Sequence, residues 1–361
     1  MRNRNVLPVT YTVPPSIFFS VPHSMWSFFS SNRSRELIGQ CILPAQARAE
    51  KTIETRQLQS LADAYRVLVQ RGMITTADGT NLDTIQITPN STFSSSVAEK
   101  HYIIKFNGNG MLYQDVLANC ARDADQLQAT VIAFNYRGVG SSSGIPKSIE
   151  DLVNDGIAQV QRLLDHGVDA KKITLDGLSL GGAVATLVAK HFHDQKQRVY
   201  LWNDRSLSSI SKAATGLFLL SDLPPMLQDT SAALTHSSFS LALKSSKWEV
   251  NVADAYQRIP QAYKGYMVVA KKSDPSDTNK LQSNGDGVIH PTASLHAAVK
   301  VKEKSDHAST CHKMLAQHSI FVGGQTKQLG GHNLARDQLI SKDNPTETGQ
   351  HVFENFIRNH R

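Results

Sequence analysis

The sequence is poor in cysteine and has no long apolar run, and both absences limit what the protein is. Its three cysteines, Cys41, Cys120 and Cys311, lie far apart and form no C-x-x-C pair. We therefore expect reduced thiols in a cytosol-like compartment, with neither a disulfide framework nor a zinc site. An uninterrupted apolar run of about 18 residues, which a membrane-spanning helix needs, is also missing.

Positive charge is in excess, but it is spread along the chain. The 361 residues carry a formal net charge of +7. Because no Lys/Arg-rich block concentrates this charge, we expect no nucleic-acid partner. The basic balance favours contact with anionic surfaces such as lipid headgroups. The histidines form no H-E-x-x-H motif and no tight cluster, so we expect no metal and no cofactor.

The N-terminal segment lacks the continuous apolar core of a secretory signal. Arg2 and Arg4 are followed by a stretch that prolines interrupt. We therefore expect no cleavable signal, and a cytoplasmic or peripheral membrane location. Residues 16–29 are rich in aromatic and aliphatic side chains. Two interpretations stay open for them: an arm that packs over the domain, or an anchor at a membrane interface.

The first third of the chain contains three local patterns. Residues 44–72 have helical spacing and end at Gly72, a residue typical of helix C-caps. Residues 73–87 form two β-prone runs around Asp78-Gly79, which is a strong hairpin signal. The Ser-rich stretch 88–100 indicates a surface loop.

After residue 100 the pattern alternates between strand and helix. Apolar runs typical of buried parallel strands occur at 101–106, 130–135, 173–176, 199–202 and 265–270, and helical spacing occurs at 113–128, 148–167 and 183–195. This alternation predicts the α/β class, with a mostly parallel, doubly wound sheet covered by helices. We predict an N-terminal extension, 1–72, and a main domain, 73–361. The main domain contains an inserted lid at about 203–262 over the C-terminal edge of the sheet.

A G-x-S-x-G motif lies at the centre of this alternation. Ser179 stands between Gly177 and Gly181, after a β-prone approach and before an Ala-rich helical run. In this arrangement a strand reverses sharply into a helix, and the serine hydroxyl projects above the sheet. The glycines lack the Cβ atoms that would collide across such a turn. The motif therefore predicts a nucleophile elbow.

Three further motifs surround the elbow in order. Residues 107–110, Asn-Gly-Asn-Gly, are similar to the H-G-N-x oxyanion loop of the α/β-hydrolase superfamily, with Asn107 in place of the usual histidine. Residues 135–144 are similar to the Y-R-G-x-G-x-S-x-G turn of that superfamily, and residues 330–333 match a G-G-H-N motif.

Together with the elbow, these motifs make the chain resemble the α/β-hydrolase superfamily, in the lipase and esterase subgroup with the G-G-H-N histidine motif. A fainter similarity is to bacterial effectors with lipase-like domains, which implies delivery to a host cell without a Sec signal as one option. The resemblance begins near residue 73, and neither 1–72 nor the insertion has a counterpart.

A catalytic Ser179 requires an imidazole to accept its proton and a carboxylate to orient that imidazole. In the superfamily the acid and then the histidine follow the serine along the chain. His332 is the predicted base, because glycines precede it in a loop. We favour it over the other late histidines, of which His296, His312 and His318 have helix-like surroundings.

Two aspartates compete for the role of the acid. Asp286 precedes an apolar pair and a helix-like segment at 291–299, which is the usual setting of a triad acid. Asp274 follows the predicted strand at 265–270, where a sheet-edge acid normally lies. We favour Asp286 and keep Asp274 as the alternative. The non-catalytic interpretation of either residue is a turn or a helix cap.

The developing oxyanion of an ester needs two backbone N–H donors. Leu180, which follows the serine, is the predicted first donor. Asn109 is the predicted second, with Gly110 and Met111 as alternatives.

The sequence thus predicts a serine esterase or lipase with a small-molecule ester or lipid substrate. A lipid or phospholipid ester is the favoured substrate, and thioesters and small acyl esters are the alternatives. A hydrolase-fold binding or scaffold protein without turnover is the competing class, because a fold does not guarantee a chemistry.

Overall fold

A computed structural model provides the structure of the protein. The residues it describes are 31–43, 55–219, 240–269, 286, 288–289, 291–302, 311–316, 319–322, 325–328 and 331–361. The predicted arm at 16–29 and the alternative acid Asp274 lie outside these residues.

Eleven strands and nine helices are named within the described ranges. The strands are β1 (Val67–Thr75), β2 (Asn81–Pro89), β3 (Tyr102–Phe106), β4 (Thr130–Phe134), β5 (Ile173–Leu178), β6 (Tyr200–Asp204), β7 (Lys264–Val269), β8 (Cys311–Ala316), β9 (Ser319–Val322), β10 (Gln325–Gln328) and β11 (Leu339–Ser341). The helices are α1 (Asn32–Ile42), α2 (Thr55–Tyr65), α3 (Leu117–Leu127), α4 (Ile149–Asp165), α5 (Leu180–Asp194), α6 (Ile210–Leu219), α7 (Val252–Arg258), α8 (Leu295–Lys302) and α9 (Gly349–Asn359).

Nine of these strands form one sheet in the order β1-β2-β4-β3-β5-β6-β7-β8-β11. The pairs from β4 through β8 are parallel, and the outer pairs β1–β2, β2–β4 and β8–β11 are antiparallel. The α/β class and the mostly parallel sheet predicted from the alternation are therefore confirmed. Strands β9 and β10 form a separate antiparallel hairpin.

Apolar residues alternate along the central strands and fill both faces of the sheet. In β3, Ile104 and Phe106 pack into one core, with α4, α5, α7 and α8. Ile103, between them, packs into the other core, with α3 and α9. This period of two places successive side chains on opposite faces of the sheet. Both faces are covered by helices, as a parallel sheet requires.

The predicted helix over 44–72 is partly wrong. Its middle is helix α2, but the chain leaves the helix at Arg66, which has a φ of 52°. Strand β1 then pairs with β2 over its whole length, and its side of the pairing includes Gly72. Gly72 is therefore a strand residue and not a helix C-cap. Cross-strand pairing with the apolar β2 outweighs the helical spacing of Leu68 and Val69.

The hairpin predicted around Asp78-Gly79 is confirmed. The N–H of Thr76 donates to the carbonyl of Thr80 at 2.8 Å. Gly79 has a φ of 84°, a left-handed conformation that glycine adopts without steric cost. The turn therefore fixes the register between β1 and β2.

The predicted insertion at 203–262 belongs in part to the layer over the sheet. Its start, Asn203 and Asp204, is the end of β6, and its last helix, α7, packs against α5. Trp248 is fully buried and donates from its indole N–H to the carbonyl of Arg35 at 2.9 Å. Helix α1 is thereby bound to the main domain through this region.

No described helix is long and apolar enough to cross a membrane.

Candidate active site

Ser179 occupies the turn between β5 and α5 in a strained backbone conformation. Its φ is 56° and its ψ is −118°. Such values are rare for a residue with a Cβ atom and cluster at functional sites. The strain is imposed from both sides, by the end of a buried strand and the start of a buried helix. We call the segment 177–181 the elbow.

Both glycines of the elbow are required by close backbone contacts. A Cβ atom on Gly177 would lie 2.4 Å from the carbonyl oxygen of Gly181, and a Cβ on Gly181 would lie 2.1 Å from that of Phe106. Each position would clash with backbone, which cannot rotate away. The sharp turn at Ser179 therefore depends on these two residues.

The loop predicted to form the oxyanion hole lies directly beside the elbow. A Cβ placed on Gly108 would be 3.6 Å from the Cβ of Ser179. The Asn107 side chain points back into the protein and donates to the carbonyl of Phe134 at 3.0 Å, whereas Asn109 is exposed. Asn107 thus supports the loop, and Gly108 borders the serine.

His332 and Asp286 are in direct contact. The Nδ1 atom of His332 lies 2.9 Å from the Asp286 carboxylate. The backbone N–H of His332 also donates to the carbonyl of Asp286 at 2.8 Å. The same carboxylate accepts from the N–H groups of Val288 and Ile289 at 3.2 and 2.6 Å. Asp286 therefore binds the Nδ1 edge of the imidazole and is itself held by two backbone donors.

The histidine loop, residues 331–334, is anchored by a buried arginine that sequence reasoning missed. Arg205 directs one nitrogen, Nη1, at the carbonyls of Gly331, His332 and Leu334, at distances of 2.8, 3.0 and 2.7 Å. The side chain of Asp204 accepts from the Nε and Nη2 atoms of Arg205 at 2.6 and 3.1 Å. All three guanidinium nitrogens of Arg205 therefore donate hydrogen bonds, two of them to Asp204 and one to the histidine loop.

Asp204 and Arg336 extend these contacts into a buried charge network, also missed from the sequence. The Nε atom of Arg336 donates to Asp204 at 2.8 Å, and its Nη1 donates to Asp176 at 3.0 Å. The Nζ atom of Lys105 lies 2.6 Å from both Asp176 and Asp123. The buried network therefore contains three cations and three carboxylates in alternation. In order, they are Arg205, Asp204, Arg336, Asp176, Lys105 and Asp123.

The pKa of Asp176 reflects this environment. Burial by itself would raise the pKa of this carboxyl, but Arg336 and Lys105 outweigh it and hold the pKa at about 2. The pKa of Asp204 is lowered as well, because Arg205 and Arg336 offset its burial. Both carboxylates are ionised at neutral pH, as paired buried charges are. The one sequence signal for this network was a set of charged residues inside otherwise apolar strands.

The Tyr-Arg-Gly turn that follows β4 has a structural role. The Arg137 guanidinium donates to Asp155 at 2.8 Å through Nε and to Asp78 at 2.7 Å through Nη1. The Asn135 side chain accepts from the N–H of Tyr113 at 2.9 Å. The turn therefore joins β4 to α4, to the β1–β2 hairpin and to the segment after the oxyanion loop.

The structure brings some of the predicted site residues together and leaves others apart. Asp286 and His332 are hydrogen-bonded, and Gly108 borders Ser179. In the described ranges, the Ser179 hydroxyl and the His332 ring form no hydrogen bond. Catalytic hydrogen bonds are often longer in the absence of substrate.

Of the disfavoured histidines, His312 lies in strand β8, so its predicted helical setting is wrong. Within the described part of the chain, no group of three or more His, Cys, Asp or Glu could hold a metal ion.

Comparison with known protein families finds one match. A family model described as the alpha/beta hydrolase fold matches residues 106–204, which include the segment 107–110 and the elbow. The match and the nine-stranded, mostly parallel sheet are consistent with the α/β-hydrolase fold. A search of curated proteins finds no match.

Solved structures with detectable similarity include esterases and an α/β hydrolase. The Pyrococcus furiosus esterase Pf2001 is 17% identical, with a TM-score of 0.41 over 62% of this chain and 73% of its own. An α/β hydrolase from Vibrio vulnificus is 17% identical, with a TM-score of 0.44 over 72% and 81%. A hyperthermophilic esterase from Pyrobaculum calidifontis is 13% identical, with a TM-score of 0.36 over 70% and 79%.

Proposed function

We propose that the protein is a serine hydrolase that cleaves carboxylic ester bonds with Ser179 as nucleophile, His332 as base and Asp286 as the orienting acid. The observation that supports this most directly is the strained Ser179, held at a strand-to-helix turn by two glycines that admit no side chain. Strain of this kind has a cost of about 1–3 kcal/mol and persists where the surroundings enforce it.

In the first half of the reaction, the Ser179 hydroxyl attacks the ester carbonyl carbon. The serine proton passes to Nε2 of His332, while the Nδ1–H of the ring donates to Asp286 and stabilises the imidazolium. The carbonyl oxygen becomes an oxyanion, which the N–H groups of Leu180 and Asn109 bind. Collapse of this intermediate breaks the ester C–O bond, and the alcohol leaves with the proton from His332.

In the second half, water hydrolyses the acyl-enzyme. His332 removes a proton from the water as it attacks the acyl carbon, and a second oxyanion forms at the same donors. The Ser179 oxygen then leaves with the proton from His332. The carboxylic acid is released and the resting enzyme is regenerated, so one ester and one water give one acid and one alcohol.

For the substrate, we propose an acyl-lipid or phospholipid ester. The net charge of +7 supports attraction to anionic lipid surfaces. The apolar segment 16–29 supports a peripheral membrane contact in the same way. A panel of p-nitrophenyl esters from acetyl to palmitoyl, together with phospholipids and acyl thioesters, tests the proposed substrate. Turnover that rises with acyl length supports the lipid substrate, and preference for thioesters contradicts it.

Labelling with a fluorophosphonate tests the nucleophile. The wild-type protein is compared with Ser179→Ala, and Ser209→Ala serves as the matched control because Ser209 lies in an isolated β-bridge. We expect labelling of the wild type and of Ser209→Ala, and none of Ser179→Ala. Absence of labelling in the folded wild-type protein would refute the enzyme and favour the binding or scaffold protein of the same fold.

A further inference from the structure

Arg205 lies between the elbow and the histidine loop. It follows directly after β6, the strand that neighbours β5. The N–H of Ser179 donates to the carbonyl of Asp204 at 2.9 Å. One peptide further along, the Arg205 side chain binds the histidine loop. Two consecutive residues therefore contact the backbone of the nucleophile and the backbone that bears the base.

The contacts of Arg205 restrain the backbone of the loop. Three carbonyl oxygens, those of Gly331, His332 and Leu334, converge on its Nη1 atom. These oxygens span the single 3₁₀ turn that carries the His332 side chain. The Arg205 residue is 4% exposed, so water does not readily replace it as donor. A planar guanidinium on a paired carboxylate is well suited to hold several acceptors in one geometry.

Arg205 is itself fixed in place. Its φ of 50° is left-handed, an uncommon conformation for a residue with a Cβ atom. Its N–H donates to the carbonyl of Met267 in β7 at 2.9 Å. The bidentate contact with Asp204 fixes the plane of the guanidinium. The side chain that restrains the loop is thus locked to β6 and β7, the two strands between the elbow and the loop.

We propose that Arg205 is a positioning residue that sets the distance and orientation of His332 relative to Ser179. The inference rests on the proposed function, because it assigns Arg205 a task in the proposed triad. Arg205 contacts the loop backbone and not the imidazole, so it acts through His332. A displacement of about 1 Å in a catalytic group costs up to about a hundredfold in rate, which is the scale of effect expected here.

Two substitutions of Arg205 distinguish its hydrogen bonds to the histidine loop from its positive charge. Arg205→Met removes all the loop contacts but keeps an unbranched side chain of similar length. Arg205→Lys keeps the charge beside Asp204 and supplies one ammonium, which cannot match the planar geometry. We expect kcat to fall about a hundredfold in the Met variant and about tenfold in the Lys variant, with KM unchanged in both. The fluorophosphonate labelling rate should fall in parallel with kcat.

A spectroscopic measurement reports on His332 without turnover. The proton between Nδ1 of His332 and Asp286 gives a low-field resonance, which Asp286→Asn identifies by removing it. We expect the resonance to be shifted or broadened in both folded Arg205 variants. Arg162→Met is the matched control, because Arg162 is a partly buried arginine on α4 whose Nε donates to Gln159, away from the site. It should leave kcat and the resonance unchanged.

The outcomes are distinct. A folded Arg205 variant with wild-type kcat and an unchanged resonance overturns the proposal. If circular dichroism and thermal unfolding show that neither variant folds while Arg162→Met does, Arg205 is a stabilising residue and the positioning role is also overturned. If the wild type shows no Ser179-dependent labelling, the proposed function fails, but the resonance still shows whether Arg205 orients His332.

Discussion

The two halves of the candidate site are held by different forces. At the elbow, Ser179 is fixed by backbone against backbone, with Gly177 and Gly181 in contacts that exclude a single methyl group. The histidine loop is fixed by side chains, with Arg205 on its carbonyls and Asp286 on the ring. Steric contacts of the first kind leave no room for an added methyl group, both within the elbow, between Gly177 and Gly181, and across to the end of β3 at Phe106. Polar contacts of the second kind come from side chains 129 and 46 positions away along the chain and can be removed one at a time. Substitutions in the two halves should therefore have different consequences.

The largest expected effect is on the elbow. Gly181→Ala places a Cβ atom 2.1 Å from the carbonyl oxygen of Phe106, between the first turn of α5 and the end of β3. Neither element can move without disrupting the central sheet, so we expect loss of soluble, folded protein. Expression, circular dichroism and thermal unfolding measure this.

Gly72→Ala is the control for that substitution, because a Cβ on Gly72 meets nothing within 4 Å. It should fold as the wild type does. A well-folded Gly181→Ala protein with an unchanged melting temperature would show that the elbow is not sterically fixed.

The next effect is on activity without loss of fold. Asp286→Asn keeps the shape of the side chain but removes the charge that stabilises the imidazolium and selects its tautomer. We expect kcat to fall by about a thousandfold or more, with a melting temperature close to that of the wild type. Ester hydrolysis and thermal unfolding of the same preparation measure the two quantities.

Asp274→Asn is the matched control, and it should retain most of the activity. The opposite ranking of the two variants would identify Asp274 as the acid and leave Asp286 as a partner of the loop.

The third effect is on stability at low pH and concerns the charge network. The pKa of Asp176 in the folded protein is about 2, below the value of about 3.9 for an unfolded chain. The unfolded state therefore binds a proton first as pH falls, and stability decreases. The contribution is complete above about pH 4 and is lost as pH falls through 2, with a magnitude of about 2 kcal/mol.

Urea unfolding at pH 7, 4 and 3, repeated with Asp176→Asn, measures this contribution. The variant should be less stable at pH 7, because Arg336 and Lys105 each lose one of their two carboxylate partners and keep only Asp204 and Asp123, respectively. Its stability should also change less between pH 4 and 3. Parallel pH curves for the two proteins would contradict the assignment.

The smallest effect is expected for a glycine-to-alanine substitution in the histidine loop, at Gly331. A Cβ on Gly331 would lie 2.8 and 2.9 Å from the two methyl carbons of Val269 and 3.2 Å from the Cβ of Ala316. These are side chains, and the valine can shift. We expect Gly331→Ala to fold, to lose about 1–3 kcal/mol of stability and to keep measurable esterase activity. Loss of folding equal to that of Gly181→Ala would remove the contrast between the two halves.

The same contrast explains what the sequence could predict. The elbow, the hairpin turn and the central strands depend on local patterns, such as glycines at fixed spacing or Asp78-Gly79 between β-prone runs. These were readable from the chain. The first part of strand β1 was not, because Leu68 and Val69 fit helical spacing and only their pairing with β2 decides for a strand. The end of β1, from residue 73, lies in the predicted hairpin.

The contacts of Arg205, Arg336 and Lys105 were not readable either. Their partners are distant in sequence, and a charged residue beside an apolar strand has many ordinary explanations. The choice between Asp286 and Asp274 also depended on two competing local settings. The hydrogen bonds between Asp286 and His332 are tertiary contacts that no spacing rule encodes.

The start of the sheet at Val67 matters for any shortened form of the protein. A truncation at residue 73, where the motif resemblance begins, would cut through β1 and leave its partner β2 as the outermost strand. The fully buried Ile85 and Ile87 of β2 would then lie next to a row of unpaired backbone N–H and C=O groups. Exposed edges of this kind recruit strands from other molecules and promote aggregation. A shortened protein that is to remain soluble should therefore begin before helix α2.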